Sequence, residues 1–228
     1  MMEHPVLNAV RNESFTPLGW FSPRPEDGVP ALATGAPARF VILVGNAGPR
    51  MFARFGREAS APDGTLDAWC RTVLTRLAGR LDADVLFPFD RPALPFLTWA
   101  RRGGAGHVSP LGLNIHLDYG LWHAYRGAFL FPVAFDIPTP VSASPCDTCL
   151  GKPCLSACPV SAFTAGRYDT DACASYLATP AGTDCMFGGC LARRACPVAP
   201  HFAYPPAQAA FHMRAFLRSR LAEAVRTS

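Results

Sequence analysis

The stretch Cys146-Asp-Thr-Cys149-Leu-Gly-Lys-Pro-Cys154-Leu-Ser-Ala-Cys158-Pro159 places four cysteines within 13 residues. Four more cysteines complete a 51-residue window, namely Cys173, Cys185, Cys190 and Cys196. The last of them, Cys196, again precedes a proline. Two [4Fe–4S] clusters require eight thiolates, four for each cluster. The window therefore predicts a small two-cluster module, and a role in electron transfer.

The spacing of the first block also predicts how the thiolates are shared. It reads C-x2-C-x4-C-x3-C-P, which differs from the bacterial two-cluster ferredoxin pattern by two additional residues in the middle spacer. In that pattern the fourth cysteine ligates the other cluster. This exchange predicts one cluster held by Cys146, Cys149, Cys154 and Cys196. It predicts a second cluster held by Cys158, Cys173, Cys185 and Cys190.

Two other interpretations of the cysteines compete with iron–sulfur clusters. A disulfide framework belongs to an oxidising compartment, yet no secretory leader is visible, so we expect a cytoplasmic protein. Structural zinc favours paired C-x2-C units, of which only Cys146 and Cys149 form one. Neither alternative accounts for two cysteines that are each followed by a proline.

Composition limits the remaining classes. The chain has 228 residues, of which 50% are hydrophobic, so it can form one full domain and a smaller second one. The net charge of +4 is mild and its arginines are dispersed, so no nucleic-acid partner is evident. No apolar run approaches the length of a membrane span, so no membrane partner is expected either.

Hydrophobic patterns predict an α/β or α+β first domain of about 140 residues. The apolar run from Arg39 to Val44 indicates a buried strand, and helical periodicity from Thr65 to Leu81 buries Cys70 as a core residue. Either Thr65 or Asp63 could cap this helix. Further strands are predicted over Ala83–Phe89, Gly112–Leu117 and Gly127–Val133, and a short helix over Leu94–Arg102.

Three segments follow from these patterns. Residues 1–140 are predicted as the first domain, ending in the stiff linker Ile137-Pro-Thr-Pro140. Residues 141–204 contain the cysteine module. Residues 205–228 contain an amphipathic helix that we expect to pack back on the protein. Its apolar residues are Phe211, Phe216, Leu217, Leu221 and Val225.

The stretch from Asn114 to Pro132 is dense in His, Trp, Tyr and Arg. Pockets for planar cofactors are mostly apolar and aromatic, with a few placed polar groups. The stretch therefore indicates the wall of a cofactor pocket. A core segment with one or two hydrogen-bonded histidines is the alternative.

The pattern I-H-x-x-x-G-x-W-x-A-x-R-G-x-x-L-x-P in this stretch resembles the cobalamin-processing proteins of the cblC type, which have a nitroreductase-like fold. The likeness covers roughly residues 15–140 and includes Gly19-Trp20-Phe21 and the segment Ala47–Arg54. It implies a cobalamin site in which His116 lies beside the corrin or its amides. Trp122 and Arg126 match the same motif, and Arg126 would donate hydrogen bonds to amide or phosphate oxygens. Composition alone adds the neighbouring Tyr119.

The cysteine module resembles that of epoxyqueuosine reductases and reductive dehalogenases, which join a cobalamin-binding nitroreductase-like domain to a two-cluster ferredoxin module. The element Asp171-Ala-Cys173-Ala-Ser-Tyr176-Leu177 carries this likeness. The helical-repeat domain, catalytic acid motif and twin-arginine leader of those relatives are not found, so neither of their reactions is expected, and no catalytic residue is indicated.

Together the resemblances imply an α+β, nitroreductase-like domain, a ferredoxin-like two-cluster module and a C-terminal helix. They imply an oxidoreductase that reduces a bound corrinoid, either removing its upper ligand or reducing its cobalt. The electrons would come from an external one-electron donor, such as a flavodoxin, ferredoxin or reductase. The alternatives are a flavin-linked iron–sulfur reductase with FMN, since the nitroreductase fold often binds it, and a plain ferredoxin-like electron carrier.

Overall fold

The computed structural model describes residues 4–58, 65–164 and 167–227, with side chains through residue 223. By their internal contacts the residues form two units. One unit comprises Met1–His107 and His123–Ala143, and the other comprises Val108–Trp122 and Ser144–Ser228. The segment Val108–Trp122 therefore groups with the cysteines, whereas the sequence predicts it as part of a first domain of residues 1–140.

The described residues form eight strands and nine α-helices. The strands are β1 Thr16–Phe21, β2 Phe40–Ala47, β3 Asp84–Leu86, β4 Gly106–Val108, β5 Asn114–His116, β6 His123–Phe131, β7 Phe163–Thr164 and β8 Arg167–Tyr168. The helices are α1 Pro5–Asn12, α2 Arg50–Glu58, α3 Leu66–Arg80, α4 Phe96–Arg102, α5 Pro153–Ser156, α6 Thr170–Leu177, α7 Thr183–Gly188, α8 Leu191–Arg194 and α9 Pro206–Thr227.

An antiparallel sheet in the order β1-β2-β6-β3 organises the first unit. All eight residues of β2 are buried, because a strand paired on both sides and covered on both faces needs a continuous apolar run. The strand predicted from Arg39 to Val44 is thus confirmed. The chain as a whole has the predicted α+β character.

Sequence patterns did not indicate strand β1, which contains Pro17 and Gly19. The strand lies at the edge of the sheet, where a proline is tolerated because no neighbour needs its missing N–H. The register shifts between Pro17 and Trp20, and Gly19 has a φ of 123°. The proline, the glycine and the register shift interrupt the alternating pattern by which strands are predicted from sequence.

Helix α3 follows its predicted pattern closely. Thr65 caps it, since the Ala68 N–H donates to Thr65 Oγ1 at 3.1 Å, whereas the alternative cap Asp63 lies outside the described residues. Cys70 is fully buried in the core of the first unit, as predicted. Burial raises the pKa of its thiol to about 12, which leaves it protonated and unreactive.

Several predicted boundaries were wrong. The strand predicted from Gly127 begins earlier, at His123, so Arg126 lies within β6 rather than in a connection before it. Gly45 allows this pairing, because a Cβ there would come within 1.9 Å of the Ala124 carbonyl oxygen. The strands predicted over Ala83–Phe89 and Gly112–Leu117 shorten to β3 and β5.

Short helices and the long α9 form most of the second unit. The α9 residues Met213, Phe216 and Leu217 pack against a buried cluster that includes Leu177 and Cys185. The predicted return of this helix onto the protein is therefore confirmed within the unit. Leu221 is largely exposed instead, and the side chain of Val225 lies outside the described residues.

No helix in the described part of the chain is long and apolar enough to cross a membrane.

Candidate functional site

Four thiols line a small apolar cavity in the second unit, which we call the first thiol cavity. These are the four cysteines that the exchange rule assigns to one cluster, although they come from two separate segments of the chain. The residues lining the cavity are Ser109, Pro110, Ile115, Leu121, Cys146, Cys149, Lys152, Cys154, Cys196, Pro197 and Val198. The described structure therefore brings Cys196 to the first block of cysteines.

Electrostatic interactions among the thiols follow the same grouping. Burial raises the pKa of Cys146, and the neighbouring thiols that raise it further are Cys196, Cys154 and Cys149. In the other predicted group, burial raises the pKa of Cys173 and of Cys190. The thiols that add to those two shifts are Cys158, Cys173 and Cys185.

Backbone N–H groups are directed at the sulfur atoms. The Ala162 N–H donates to Cys158 Sγ at 3.3 Å. Backbone donors also favour the thiolate form of Cys190, from Ala192 and Arg193, and of Cys196, from Val198. Burial and neighbouring thiols raise the pKa of these cysteines, whereas backbone N–H donors lower the pKa of some of them. A bound cationic centre would stabilise their thiolate forms, so the arrangement fits such a centre.

Among the described residues, no three His, Cys, Asp or Glu side chains are placed to hold a single metal ion. The iron–sulfur assignment of the eight cysteines therefore stays a prediction.

The segment around His116 lies against the first thiol cavity. Ile115 and Leu121 line that cavity. Between them, His116 and Gly120 exchange two backbone hydrogen bonds of 2.9 Å. The Asp118 N–H donates to His116 Nδ1 at 3.0 Å, which places the ring proton on Nε2. The buried ring of His116 also lies 4.7 Å from that of Tyr119.

Trp122 occupies an aromatic cluster next to this segment. Trp122 is only 5% exposed, and its indole Nε1–H has no hydrogen-bond partner among the described residues. The guanidinium of Arg193 lies 4.9 Å from the Trp122 ring and 4.6 Å from the Tyr204 ring. Arg193 also donates from Nε to the Leu121 carbonyl oxygen at 2.8 Å. Sequence reasoning missed Arg193 and Tyr204, since no local pattern relates them to residue 122.

Arg126, the fourth predicted cofactor residue, belongs to the first unit. From β6 its Nε–H donates to Oδ1 of the fully buried Asn46 at 3.2 Å, and its Nη1 lies 3.4 Å from Asp67 Oδ1. His116, Tyr119 and Trp122 belong to the second unit. The four predicted cofactor residues are thus divided between the two units, and their shared role stays a prediction.

A separate open cleft of about 860 Å³ lies in the first unit. Prolines and two arginines, Arg24 and Arg39, form much of its wall. None of the predicted cofactor residues contributes to it.

No protein-family model matches the chain, and no curated protein matches it. Solved structures do. An epoxyqueuosine reductase from Streptococcus thermophilus matches 90% of this chain and 69% of its own, with a TM-score of 0.52 and 16% identity. The fold is similar to that of this epoxyqueuosine reductase.

Two further solved structures match with TM-scores below 0.5. The epoxyqueuosine reductase from Bacillus subtilis matches with a TM-score of 0.46 and 19% identity, over 75% of this chain and 54% of its own. The C. elegans B12-trafficking protein CblC matches with a TM-score of 0.42 and 16% identity, over 93% and 95% of the two chains.

Proposed function

We propose that this chain is an iron–sulfur oxidoreductase that passes electrons to a bound corrinoid. The observation that carries the proposal is the packing of the segment Val108–Trp122 inside the cysteine unit. Ile115 and Leu121 line the first thiol cavity, and the neighbouring His116 and Trp122 are two of the residues matched to the cobalamin-processing motif. A corrinoid bound by these two residues would lie close to an electron source.

The thiols would hold two [4Fe–4S] clusters, each supplying one electron at a time. Cys146, Cys149, Cys154 and Cys196 would hold one cluster. Cys158, Cys173, Cys185 and Cys190 would hold the other. Cysteines of both groups border one apolar core, formed by residues that include Leu111, Ile115 and Phe163. That shared core supports electron transfer within a single unit.

The corrinoid is the proposed substrate, whose cobalt accepts one or two electrons when it loses an upper ligand. The aromatic rings of His116, Tyr119 and Trp122 would contact its apolar face. The unpartnered Trp122 N–H would donate to one of its amide oxygens. Arg126 matches the same motif, and the resemblance implies that it donates to an amide or phosphate oxygen of the corrinoid.

An external one-electron donor would approach the first thiol cavity at the exposed loop of this chain that contains Leu150 and Lys152. Leu150 is 93% exposed, and the exposed Lys152 contributes to the cavity wall. Lys152 is the only lysine in the chain, and its charge suits an acidic surface on a flavodoxin or ferredoxin. A cytoplasmic location is part of the same proposal.

The test is anaerobic reconstitution with iron and sulfide, followed by titration with hydroxocobalamin and, separately, with FMN. We expect cluster absorption, saturable binding of hydroxocobalamin, and its reduction when the clusters are reduced first. Saturable binding of FMN alone would favour the flavin-linked alternative. Intact clusters without binding of either molecule would favour a plain electron carrier.

A further inference from the structure

Ser109 contributes a buried hydroxyl to the first thiol cavity. The residue is only 5% exposed. Its N–H donates to the Leu113 carbonyl oxygen at 2.9 Å, and its own carbonyl oxygen accepts from the Gly112 N–H at 2.9 Å. Its Oγ has no partner among the described residues. The turn therefore satisfies both backbone groups of Ser109 and leaves the side chain alone unsatisfied.

An unsatisfied buried hydroxyl is costly, so its location is informative. Ser109 lines the same cavity as Cys146, Cys149, Cys154 and Cys196. The other side chains in that wall are aliphatic, apart from the thiols and Lys152. Sulfur atoms of a bound cluster are thus the acceptors that the cavity offers to Ser109.

We propose that Ser109 donates a hydrogen bond to a sulfur of the cluster held in this cavity and raises its reduction potential. The inference rests on the proposed iron–sulfur assignment. Reduction adds negative charge to a cluster, so a donor stabilises the reduced form more than the oxidised form. Because Ser109 lines the cavity of Cys146, Cys149, Cys154 and Cys196, it sets the potential of that cluster apart from the potential of the other.

The experiment is a redox titration of the reconstituted protein, monitored by electron paramagnetic resonance. Ser109→Ala is expected to lower the midpoint potential of the cluster whose signal Cys196→Ala removes. A tenfold fall in its reduced-to-oxidised ratio at fixed potential corresponds to about 59 mV for one electron. The other cluster should keep its potential. Ser219→Ala makes the same chemical change at an exposed position of α9 and should shift neither cluster.

A second pair of variants separates hydrogen bonding from packing. Ser109→Thr and Ser109→Val introduce side chains of nearly equal shape, of which only the threonine keeps a hydroxyl. We expect a higher midpoint potential in Ser109→Thr, even if Ser109→Ala fails to retain its iron. Equal midpoints for the Thr and Val variants would overturn the inference. An unsubstituted protein that binds no iron would instead overturn the proposed function.

Discussion

Gly120 and Val198 approach so closely that a Cβ on Gly120 would lie 2.3 Å from the Val198 carbonyl oxygen. Gly120 has a φ of 55°, which L side chains rarely adopt. Val198 follows Cys196 by two residues and lines the first thiol cavity. This contact holds the His116–Trp122 segment against the chain that supplies the fourth thiol.

Gly120→Ala should therefore damage both the fold and the cluster site. The left-handed backbone costs a non-glycine residue about 1–2 kcal/mol, and the clash adds to that cost. Gly112→Ala is the matched control, since Gly112 has a φ of 72° but open space around its missing Cβ. Denaturant unfolding and iron content are the measurements. Equal losses of stability and of iron in the two variants would show that the close approach to Val198 adds nothing to the effect of the left-handed backbone.

Anaerobically purified protein should contain about eight iron and eight sulfide per chain, because eight thiolates can hold two four-iron clusters. Iron, acid-labile sulfide and zinc are measured on the same sample. An iron content near four, with zinc making up the difference, would eliminate the two-cluster assignment.

Cys158→Ala and Cys196→Ala should damage different clusters. The structure groups Cys196 with Cys146, Cys149 and Cys154, whereas Cys158 contributes to the pKa shift of Cys173. Electron paramagnetic resonance of the reduced variants distinguishes the two signals. If both substitutions remove the same signal, the exchange of ligands between the two blocks is wrong.

Trp122→Phe should weaken hydroxocobalamin binding by about 1 kcal/mol, because the ring remains while the unpartnered Nε1–H is lost. Trp122→Ala should weaken it further through lost contact area. Isothermal titration measures both affinities, and cluster absorption checks that the iron content is unchanged. Wild-type affinity in Trp122→Ala would remove Trp122 from the proposed site.

Arg126→Ala should weaken hydroxocobalamin binding by roughly 1.5–3 kcal/mol if the arginine makes a charge-assisted hydrogen bond to the ligand. Arg126→Lys keeps the charge but loses the planar fork. Because Arg126 also contacts Asn46 and Asp67, urea unfolding of each variant is needed as a control. Lost stability with unchanged affinity would assign Arg126 a structural role alone.

Local chemistry led to part of the site prediction. The grouping of thiols was inferred from spacing, since a proline after the fourth cysteine directs that cysteine away from its own block. The motif containing His116, Trp122 and Arg126 was found by resemblance. Ser109 and Arg193 carried no such signal, because a lone serine or arginine acquires a role only from what folds around it.

The sequence alone determined the elements whose cause is local. Residues close in sequence are enough to explain the apolar run of β2, the periodicity and Thr65 cap of α3, and the spacing of the first cysteine block. The tertiary structure decided that Val108–Trp122 joins the cysteine unit while Arg126, only four residues further, enters the sheet of the other. The reason is packing at long range. Ile115 and Leu121 become buried beside the thiols, and Gly120 fits against Val198. Neither contact is encoded in a local pattern.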